Sequence, residues 1–226
     1  YCNKFSVIVA TAEEDGEQLQ SFNPAAELAV IPNGVDLELF PYRVESPDGH
    51  QLIFVGAMDY IANVEAARFL GLEILPALQQ RYPDASLVLA GAKPAPEVLE
   101  LAKRPGVIVT GRVPSMAEYL HQATVCVIAM RIGFGIKNKT LEAMAAGVPV
   151  VGSDRGLEGL AVDGDNVPLR ALRANSVPEY VAAISRLFED ADLRQTLAKN
   201  GRELIESRYT WERAGEQYET VLLGGT

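Results

Sequence analysis

The stretch 133–151, GFGIKNKTLEAMAAGVPVV, constrains the fold more than any other part of the chain. Its two leading glycines allow the backbone to turn sharply and to bring N–H groups close to a ligand. A short helix with one apolar side is predicted to begin near Lys139 or Thr140. It should end where Gly147 can take the position after the last turn and Pro149 cannot continue the helix. The stretch therefore predicts a glycine loop, a helix of at most three turns and a buried strand.

A helix that begins directly after a glycine loop is a natural site for an anion. Its first N–H groups are free, and the positive end of its macrodipole favours negative charge. Lys137 and Lys139 add two cations beside it, so phosphate is the first candidate ligand. A βα turn with two solvated lysines is the alternative interpretation of the same residues. Glu142, further along the helix, either complements the helix dipole or accepts hydrogen bonds from the vicinal hydroxyls of a sugar.

The composition argues against several other classes of function. The 226 residues carry a formal net charge of -10 and a sequence pI near 4.8, which disfavours nucleic acid or an anionic membrane surface as the main partner. Cys126 lies in an apolar run and Cys2 at the extreme N-terminus, so a reducing cytoplasm fits and a disulfide framework does not. His50 and His121 have no cluster of Cys or acidic residues around them, so no metal site is expected. No apolar stretch is long enough to span a membrane, and no signal peptide is visible.

Short apolar segments alternate with helical segments over most of the chain. Asn63 is the predicted N-cap of the helix at 63–81, and Pro76 is expected to kink or break that helix. The alternation predicts an α/β fold with a Rossmann-like parallel sheet and helices on both faces, in which a ligand lies outside the carboxyl ends of the strands. The other predicted helices are 13–22, 97–103, 115–122 and a run of helices over 177–223. The predicted strands are 5–10, 28–31, 52–56, 86–91, 107–109, 125–129 and 148–151.

A series of motifs, taken in order, resembles the C-terminal half of group 1 (family 4) glycosyltransferases, which have the two-domain GT-B architecture. The order of the motifs is far more specific than any one of them. Details at 56–60 and 63–64 look most like the bacterial sugar transferases of exopolysaccharide and cell-surface polysaccharide pathways. The motifs are VIPNGVD at 30–36 followed by Phe40, FVG at 54–56, LAG at 89–91, GRV at 111–113 and TLEAMAAGVPVV at 140–151.

The resemblance implies a half that binds a nucleotide diphosphate sugar as donor substrate, with no metal or other cofactor, for a retaining transfer. In the family, the glutamate matching Glu142 accepts hydrogen bonds from the ribose hydroxyls, backbone groups near Arg112 and Val113 hold the base, and the N–H groups of the glycine loop hold the diphosphate. The donor-binding residues that we expect are Gly56, Arg112, Val113, Gly133, Phe134, Gly135, Lys137, Asn138, Lys139, Thr140 and Glu142.

The resemblance also implies that part of the enzyme lies outside this sequence. The chain has no initial Met and opens inside a structural element, so we expect a fragment. Residues 1–27 are interpreted as a remnant of the N-terminal half, 28–51 as an interdomain strand and linker, and 52–226 as the Rossmann-like donor domain. The catalytic residues and the site for a saccharide or lipid-linked acceptor are expected in the missing half, so this fragment alone is expected to be inactive. The expected location is the cytoplasm, with peripheral contact to the inner membrane through that half.

The sequence departs from the family pattern around the expected donor site. Many members carry an acidic residue eight positions before the ribose glutamate, where this chain has Phe134. Many also place Arg just after the glycine of the first strand and Lys a little later, where this chain has Ala57 and Asn63. We hypothesise that Lys137 and Lys139 supply the missing positive charge. Asp154 and Arg155, with Gly156, Glu158 and Gly159, follow the strand at 148–151 and are further candidates for a place at the donor pocket.

Two other functions are compatible with the same architecture. A nucleotide-sugar epimerase of GT-B architecture needs an acid and a base carboxylate in the cleft, and the sequence offers no convincing pair. A non-catalytic nucleotide-sugar-binding subunit would bind the donor without transferring or hydrolysing it. Turnover by the full-length protein distinguishes these alternatives from a glycosyltransferase.

Overall fold

The structure is a computed structural model that describes residues 4–224. Six parallel strands form a large sheet, and two further parallel strands near the N-terminus form a small one. The small sheet consists of β1 (Val7–Ala10) and β2 (Glu27–Val30). The large sheet consists of β3 (Gln51–Val55), β4 (Ser86–Ala90), β5 (Val107–Gly111), β6 (Val125–Ile128), β7 (Val150–Gly152) and β8 (Leu172–Arg173).

Helical segments connect successive strands from β3 to β7, and a run of helices follows β8, as the alternation of segments predicts. The helices are α1 (Glu13–Ser21), α2 (Ile61–Phe69), α3 (Leu75–Gln79), α4 (Pro96–Leu101), α5 (Met116–Gln122), α6 (Asn138–Ala145), α7 (Val177–Glu189), α8 (Ala191–Arg208) and α9 (Trp211–Leu222).

The strands of the large sheet lie in the order β5-β4-β3-β6-β7-β8. The chain enters the sheet at its centre, builds one half through β4 and β5, and then returns to the centre at β6 to build the other half. The direction of winding therefore reverses between the neighbouring strands β3 and β6. Open parallel sheets bind ligands beside such a switch point, outside the carboxyl ends of the strands. The predicted Rossmann-like α/β fold is confirmed.

The core is built on the central strands, whose side chains are buried because helices cover both faces of the sheet. This double burial is why these strands read as continuous apolar runs in the sequence. Cys126 in β6 is fully buried, and burial raises the pKa of its thiol to about 12, so it is an inert part of the core. Cys2 lies outside the described residues.

The small sheet, with α1 packed against it, forms a separate layer at the N-terminal end of the described chain. It leads into the rest of the molecule through Val35, which forms an isolated parallel bridge with Thr210 at the start of α9. The division of the chain into parts at residues 27 and 51 stays a prediction.

Residues 36–50 contain no helix or strand, but they are firmly attached to the large sheet and its helices. Arg43 is only 7% exposed. Its guanidinium donates to the carbonyl oxygens of Gly147 at 3.1 Å, Ala123 at 2.5 Å and His121 at 3.2 Å. A segment that reads as a polar linker is thus fixed to the domain by side-chain hydrogen bonds, of which Arg43 forms three. Arg194, Arg202 and Thr124 also bond to it.

The predicted N-cap at Asn63 is wrong. The helix begins at Ile61 after Tyr60, whose backbone is extended (φ -77, ψ 126). Asn63 is the third residue of the helix, and its side chain is buried, where its amide donates to the Ala57 carbonyl oxygen at 2.8 Å. The expected kink or break at Pro76 is replaced by a π-helical turn over residues 70–74, between α2 and α3. A wider turn there accommodates a proline ring and its missing N–H without ending the helical path.

Two smaller differences concern the second half of the sheet. The helix after the glycine loop begins at Asn138, one or two residues earlier than predicted, with Lys137 in the extended N-cap position. The two-residue strand β8 was not predicted because it contains no apolar run, and it exists only through its pairing with β7.

Candidate functional site

The site begins where β3 and β4 end, at two positions that only glycine, which has no side chain, can readily occupy. Gly56 has a φ of +150° and Gly91 a φ of +152°, a backbone conformation that other residues rarely adopt. A Cβ atom on Gly91 would overlap the Gly56 carbonyl oxygen. The two turns therefore pack directly against each other.

Above these turns lies a cavity of about 330 Å³ at the carboxyl ends of β3, β4 and β5. It brings together four of the predicted donor-binding residues, Gly56, Arg112, Val113 and Glu142, although they are spread over 87 positions of the sequence, from 56 to 142. The other lining residues are mostly apolar. They are Phe40, Val55, Ala57, Gly91, Ala92 and Met116. A concave, largely apolar site with a few convergent polar groups is the usual form of a small-molecule site.

Glu142 projects from α6 into this cavity. Burial raises the pKa of its carboxyl group, and the positive charge of Lys139 partly opposes that rise. No residue in the range 4–224 donates a hydrogen bond to its carboxylate oxygens. The two oxygens are therefore free to accept hydrogen bonds from hydroxyl groups of a ligand.

Lys139 is a partly buried cation without a carboxylate in contact among the described residues. Its Nζ donates to the side-chain oxygen of Asn63, lies 3.9 Å from the Met130 sulfur and stands 4.3 Å from the centre of the Phe54 ring. Burial is the main cause that lowers its pKa from 10.5 to about 8, and the nearby positive charge of Lys137 contributes in the same direction. A Cβ atom on Gly56 would come within 2.8 Å of Nζ, so the amine lies against the turn that floors the cavity.

Lys137 is placed differently. Its Nζ forms an ion pair with Glu158 at 3.1 Å and also donates to the carbonyl oxygen of Gly135 within the loop. Both members of this pair are largely buried. The two lysines therefore do not act as an equivalent pair of free cations, because Lys137 already has its counter-ion.

The glycine loop offers a row of free donors. The backbone N–H groups of residues 133–139 donate no hydrogen bond to any residue that the structure describes. Gly133 (φ +101°) and Gly135 (φ +70°) give the loop its shape. These N–H groups, the first turn of α6 and the Lys139 amine together can bind an anion.

The remaining predicted donor-binding residues lie on the loop or on α6 but do not line the cavity. The candidates after β7, at 154–156 and 158–159, do not line it either. Phe134 is 79% exposed, and the Arg155 guanidinium lies 5.2 Å from the centre of its ring. The Asn138 side-chain oxygen accepts a hydrogen bond from Asn33 at 3.2 Å. Thr140 is fully buried and donates its hydroxyl to the Gly156 carbonyl oxygen at 2.9 Å, so this hydroxyl stabilises the fold locally.

Two contacts at the site carry no signal in the local sequence pattern. Asn63, the predicted helix cap, instead accepts a hydrogen bond from the Lys139 amine through its side-chain oxygen. Glu158, predicted near the donor pocket, instead forms an ion pair with Lys137. Both contacts join residues 21 or more positions apart, which local patterns do not reveal.

Neither a metal-binding cluster nor a membrane-spanning helix is found among residues 4–224. Within residues 4–224, no group of three or more His, Cys, Asp or Glu side chains is arranged to hold a metal ion. Metal independence stays a prediction. None of the helices in the described part of the chain combines the length and the apolar character needed to cross a bilayer.

The strand order, the cavity at the carboxyl ends of β3, β4 and β5, and the unpartnered N–H groups at the start of α6 are typical of a Rossmann-like α/β binding domain. The sequence model of the family described as Glycosyl transferases group 1 matches residues 49–190, and the chain belongs to this family.

Curated relatives include glycogen synthase of Mycobacterium tuberculosis (strain ATCC 25618 / H37Rv), which is 27% identical over 229 residues, covering 96% of this chain and 54% of that protein. The GDP-mannose-dependent alpha-(1-6)-phosphatidylinositol monomannoside mannosyltransferase of the same strain is 28% identical over 234 residues, covering 90% of this chain and 58% of that protein. The chain thus spans about half the length of the curated relatives it matches.

Solved structures share the fold. Sucrose-phosphate synthase from Thermosynechococcus elongatus superposes with a TM-score of 0.70 at 25% identity, covering 97% of this chain and 59% of that one. Anabaena Alr3699/HepE in complex with UDP superposes with a TM-score of 0.78 at 17% identity, covering 99% of this chain and 65% of that one.

Proposed function

We propose that this chain is the donor-binding part of a glycosyltransferase that transfers a sugar from a nucleotide diphosphate sugar to a saccharide or lipid-linked acceptor, in polysaccharide or glycolipid biosynthesis. The observation that carries the proposal is the cavity at the carboxyl ends of β3, β4 and β5, which Glu142 lines with free acceptor oxygens, while the start of the same helix carries the free N–H groups of the glycine loop. The names of the relatives support it, since they include a GDP-mannose-dependent mannosyltransferase, and the Anabaena neighbour was solved with UDP.

The proposed donor lies across the carboxyl ends of the strands. The base contacts the backbone near Arg112 and Val113, and the ribose hydroxyls donate to the carboxylate of Glu142. The diphosphate then meets the start of α6, where the loop N–H groups have no partner among the described residues and the Lys139 amine lies against the Gly56 turn. This arrangement uses every unpartnered polar group described above.

The protein contributes electrostatic stabilisation to the proposed reaction. As the bond from the sugar to the diphosphate breaks, negative charge develops on the leaving diphosphate. Backbone N–H groups, the positive end of α6 and a desolvated lysine stabilise such charge without having to reorganise. We propose that Lys139 supplies the cation, that Lys137 shapes the loop through Glu158, and that no metal ion is needed.

The rest of the proposed enzyme supplies what this chain does not. The acceptor site and the catalytic groups are assigned to the other half, and the stereochemical outcome is proposed to be retention. The proposed location is the cytoplasm, in keeping with the one buried thiol among the described residues, with peripheral contact to the inner membrane through the other half.

The test is isothermal titration calorimetry of this chain with UDP, GDP and ADP, repeated with Glu142→Gln. One nucleotide is expected to bind, and loss of the charged acceptor should weaken its binding about tenfold or more. Glu118→Gln, at an exposed carboxylate in the first turn of α5, is the matched control and should bind like the unmodified chain. Equal affinity of the Glu142→Gln variant for its nucleotide would refute the assignment of this site.

A further inference from the structure

A second cavity, of about 380 Å³, opens at the carboxyl ends of β6 and β7. It shares no lining residue with the donor cavity. The β6–α6 connection, which carries the glycine loop, begins at its wall with Arg131, and the start of α7 closes the opposite side with Tyr180. Its volume falls within the range of ordinary small-molecule sites. The proposed donor contacts none of the residues that line this second cavity.

The Tyr180 hydroxyl is the first sign that this cavity binds a ligand. The side chain is 1% exposed, and its ring packs edge-on against Phe69 at 5.8 Å between centres. The Ser153 hydroxyl is near enough to lower the pKa of the phenol, but no described group lies within hydrogen-bond geometry of the phenol oxygen. Ser153, which also lines the cavity, already donates to the Met130 carbonyl oxygen at 2.5 Å and accepts from the Gly156 N–H at 2.9 Å. A buried hydroxyl without a partner costs free energy, so its retention calls for an explanation.

Arg131 is the second sign. Its guanidinium lies 3.9 Å from the centre of the Phe69 ring and forms no ion pair with any described residue. Burial raises the pKa of the Tyr180 hydroxyl; Ser153 and the positive charge of Arg131 oppose that rise, and the negative charges of Asp154 and Glu179 add to it. Arg131 and Tyr180 both line the cavity, and both lie against the Phe69 ring.

The carboxylates of the cavity do not neutralise Arg131, because they are paired elsewhere. Asp154 binds Arg173 at 2.8 Å. Glu158 binds Lys137 at 3.1 Å and also Arg155. What remains without a partner is thus a set of donors in a chain of formal net charge -10.

We propose that this cavity is a second ligand site, which binds the phosphate or carboxylate group of a sugar-sized molecule through the Arg131 guanidinium and the Tyr180 hydroxyl. Asn175 adds a further donor, because its oxygen accepts the Asp154 N–H at 2.9 Å and its amide N–H groups are left free. Arginine and a neutral phenol both donate to oxyanions, and such charge-assisted hydrogen bonds are the stronger kind. The inference concerns residues outside the donor cavity and does not depend on the proposed function.

The test is calorimetry of the chain with glucose 6-phosphate, glucuronate, inorganic phosphate and uncharged glucose as probes. At least one of the three anions is expected to bind, and glucose is not. If glucose 6-phosphate binds more tightly than phosphate, the sugar is recognised as well. If the two bind with equal affinity, only the oxyanion is recognised. Both results support the site. The variants Tyr180→Phe and Arg131→Gln should each bind the anion at least tenfold more weakly.

Two controls keep the result interpretable. Ser185→Ala removes another buried hydroxyl on α7, which has no partner within hydrogen-bond geometry and lies outside the cavity. Arg104→Gln removes an exposed arginine at the far end of the sheet. Neither should change anion binding. Tyr180→Phe should also unfold at no lower a temperature than the unmodified chain, because its hydroxyl forms no bond to lose. Absence of binding by all three anions at 10 mM, roughly the weakest affinity of interest for a small ligand, or unchanged binding in both cavity variants, would overturn the proposal.

Discussion

Replacing Lys139 by methionine should make the protein more stable and, at the same time, a poorer binder of its nucleotide. The amine is held in a buried place where its pKa falls from 10.5 to about 8, which corresponds to about 3 kcal/mol spent in keeping it charged at pH 7. Methionine is of similar length and carries no charge. It leaves the Asn63 oxygen without its donor, which costs roughly 1 kcal/mol. A net gain of about 2 kcal/mol in the free energy of unfolding is expected.

The pH dependence identifies the cause. Between pH 8 and 10.5 the unfolded chain keeps the proton on Lys139 while the folded protein has lost it, so stability rises with pH in this window. Below pH 8 the full cost of the buried charge is present. Urea unfolding at pH 7 and pH 10 should therefore show the variant ahead at pH 7 and the difference much reduced at pH 10. Comparing the two proteins cancels the titration of all other groups.

Binding should show the opposite effect. A diphosphate next to Lys139 favours its charged form, so at pH 8, where the amine is half protonated, binding should take up about half a proton. Calorimetry in two buffers of different ionisation enthalpy measures this uptake, and the variant should show none and bind at least tenfold more weakly. Lys137→Met, which removes a lysine already paired with Glu158, is the comparison and should affect affinity less. A variant that binds the nucleotide as well as the unmodified chain, or is less stable at pH 7, would refute the reasoning.

Two further expectations concern the framework of the site. Gly91→Ala should lower the free energy of unfolding by about 2 kcal/mol or more, because a Cβ atom there combines an unfavourable φ with overlap of the Gly56 carbonyl oxygen. Gly164→Ala, at a similar φ (+120°) in open space, should lower it less in the same urea titration. An equal loss in both variants would contradict the close approach of the Gly56 and Gly91 turns. Arg43→Met should lower the free energy of unfolding by about 3 kcal/mol, because it leaves three carbonyl oxygens without donors, and should expose the segment before β3 to limited proteolysis. Arg81→Met, at an exposed ion pair, should change neither stability nor proteolysis. An Arg43 variant as protease-resistant as the unmodified chain would show that other contacts hold this segment.

The strands of the large sheet were predictable because helices cover both of its faces. A strand buried on both sides must be apolar at every position, and such runs are visible at β3, β4 and β6 without any knowledge of the fold. Elements that depend on a distant partner were not predictable. β8 is a strand only because β7 lies beside it, and the start of α2 was misplaced because Asn63 finds its partners inside the protein.

The glycine loop and the helix that follows it were determined by the sequence alone, because free N–H groups at a helix start are a local property of the backbone. The position of Glu142 on that helix is local in the same sense. Only the tertiary structure decided which lysine has a counter-ion. Lys137 and Lys139 are two residues apart and point in different directions, one to Glu158 and the other to Asn63 beneath the Gly56 turn. Burial and charge pairing depend on which residues the sheet brings together, and the order of the strands in the sheet is set by packing across the whole domain.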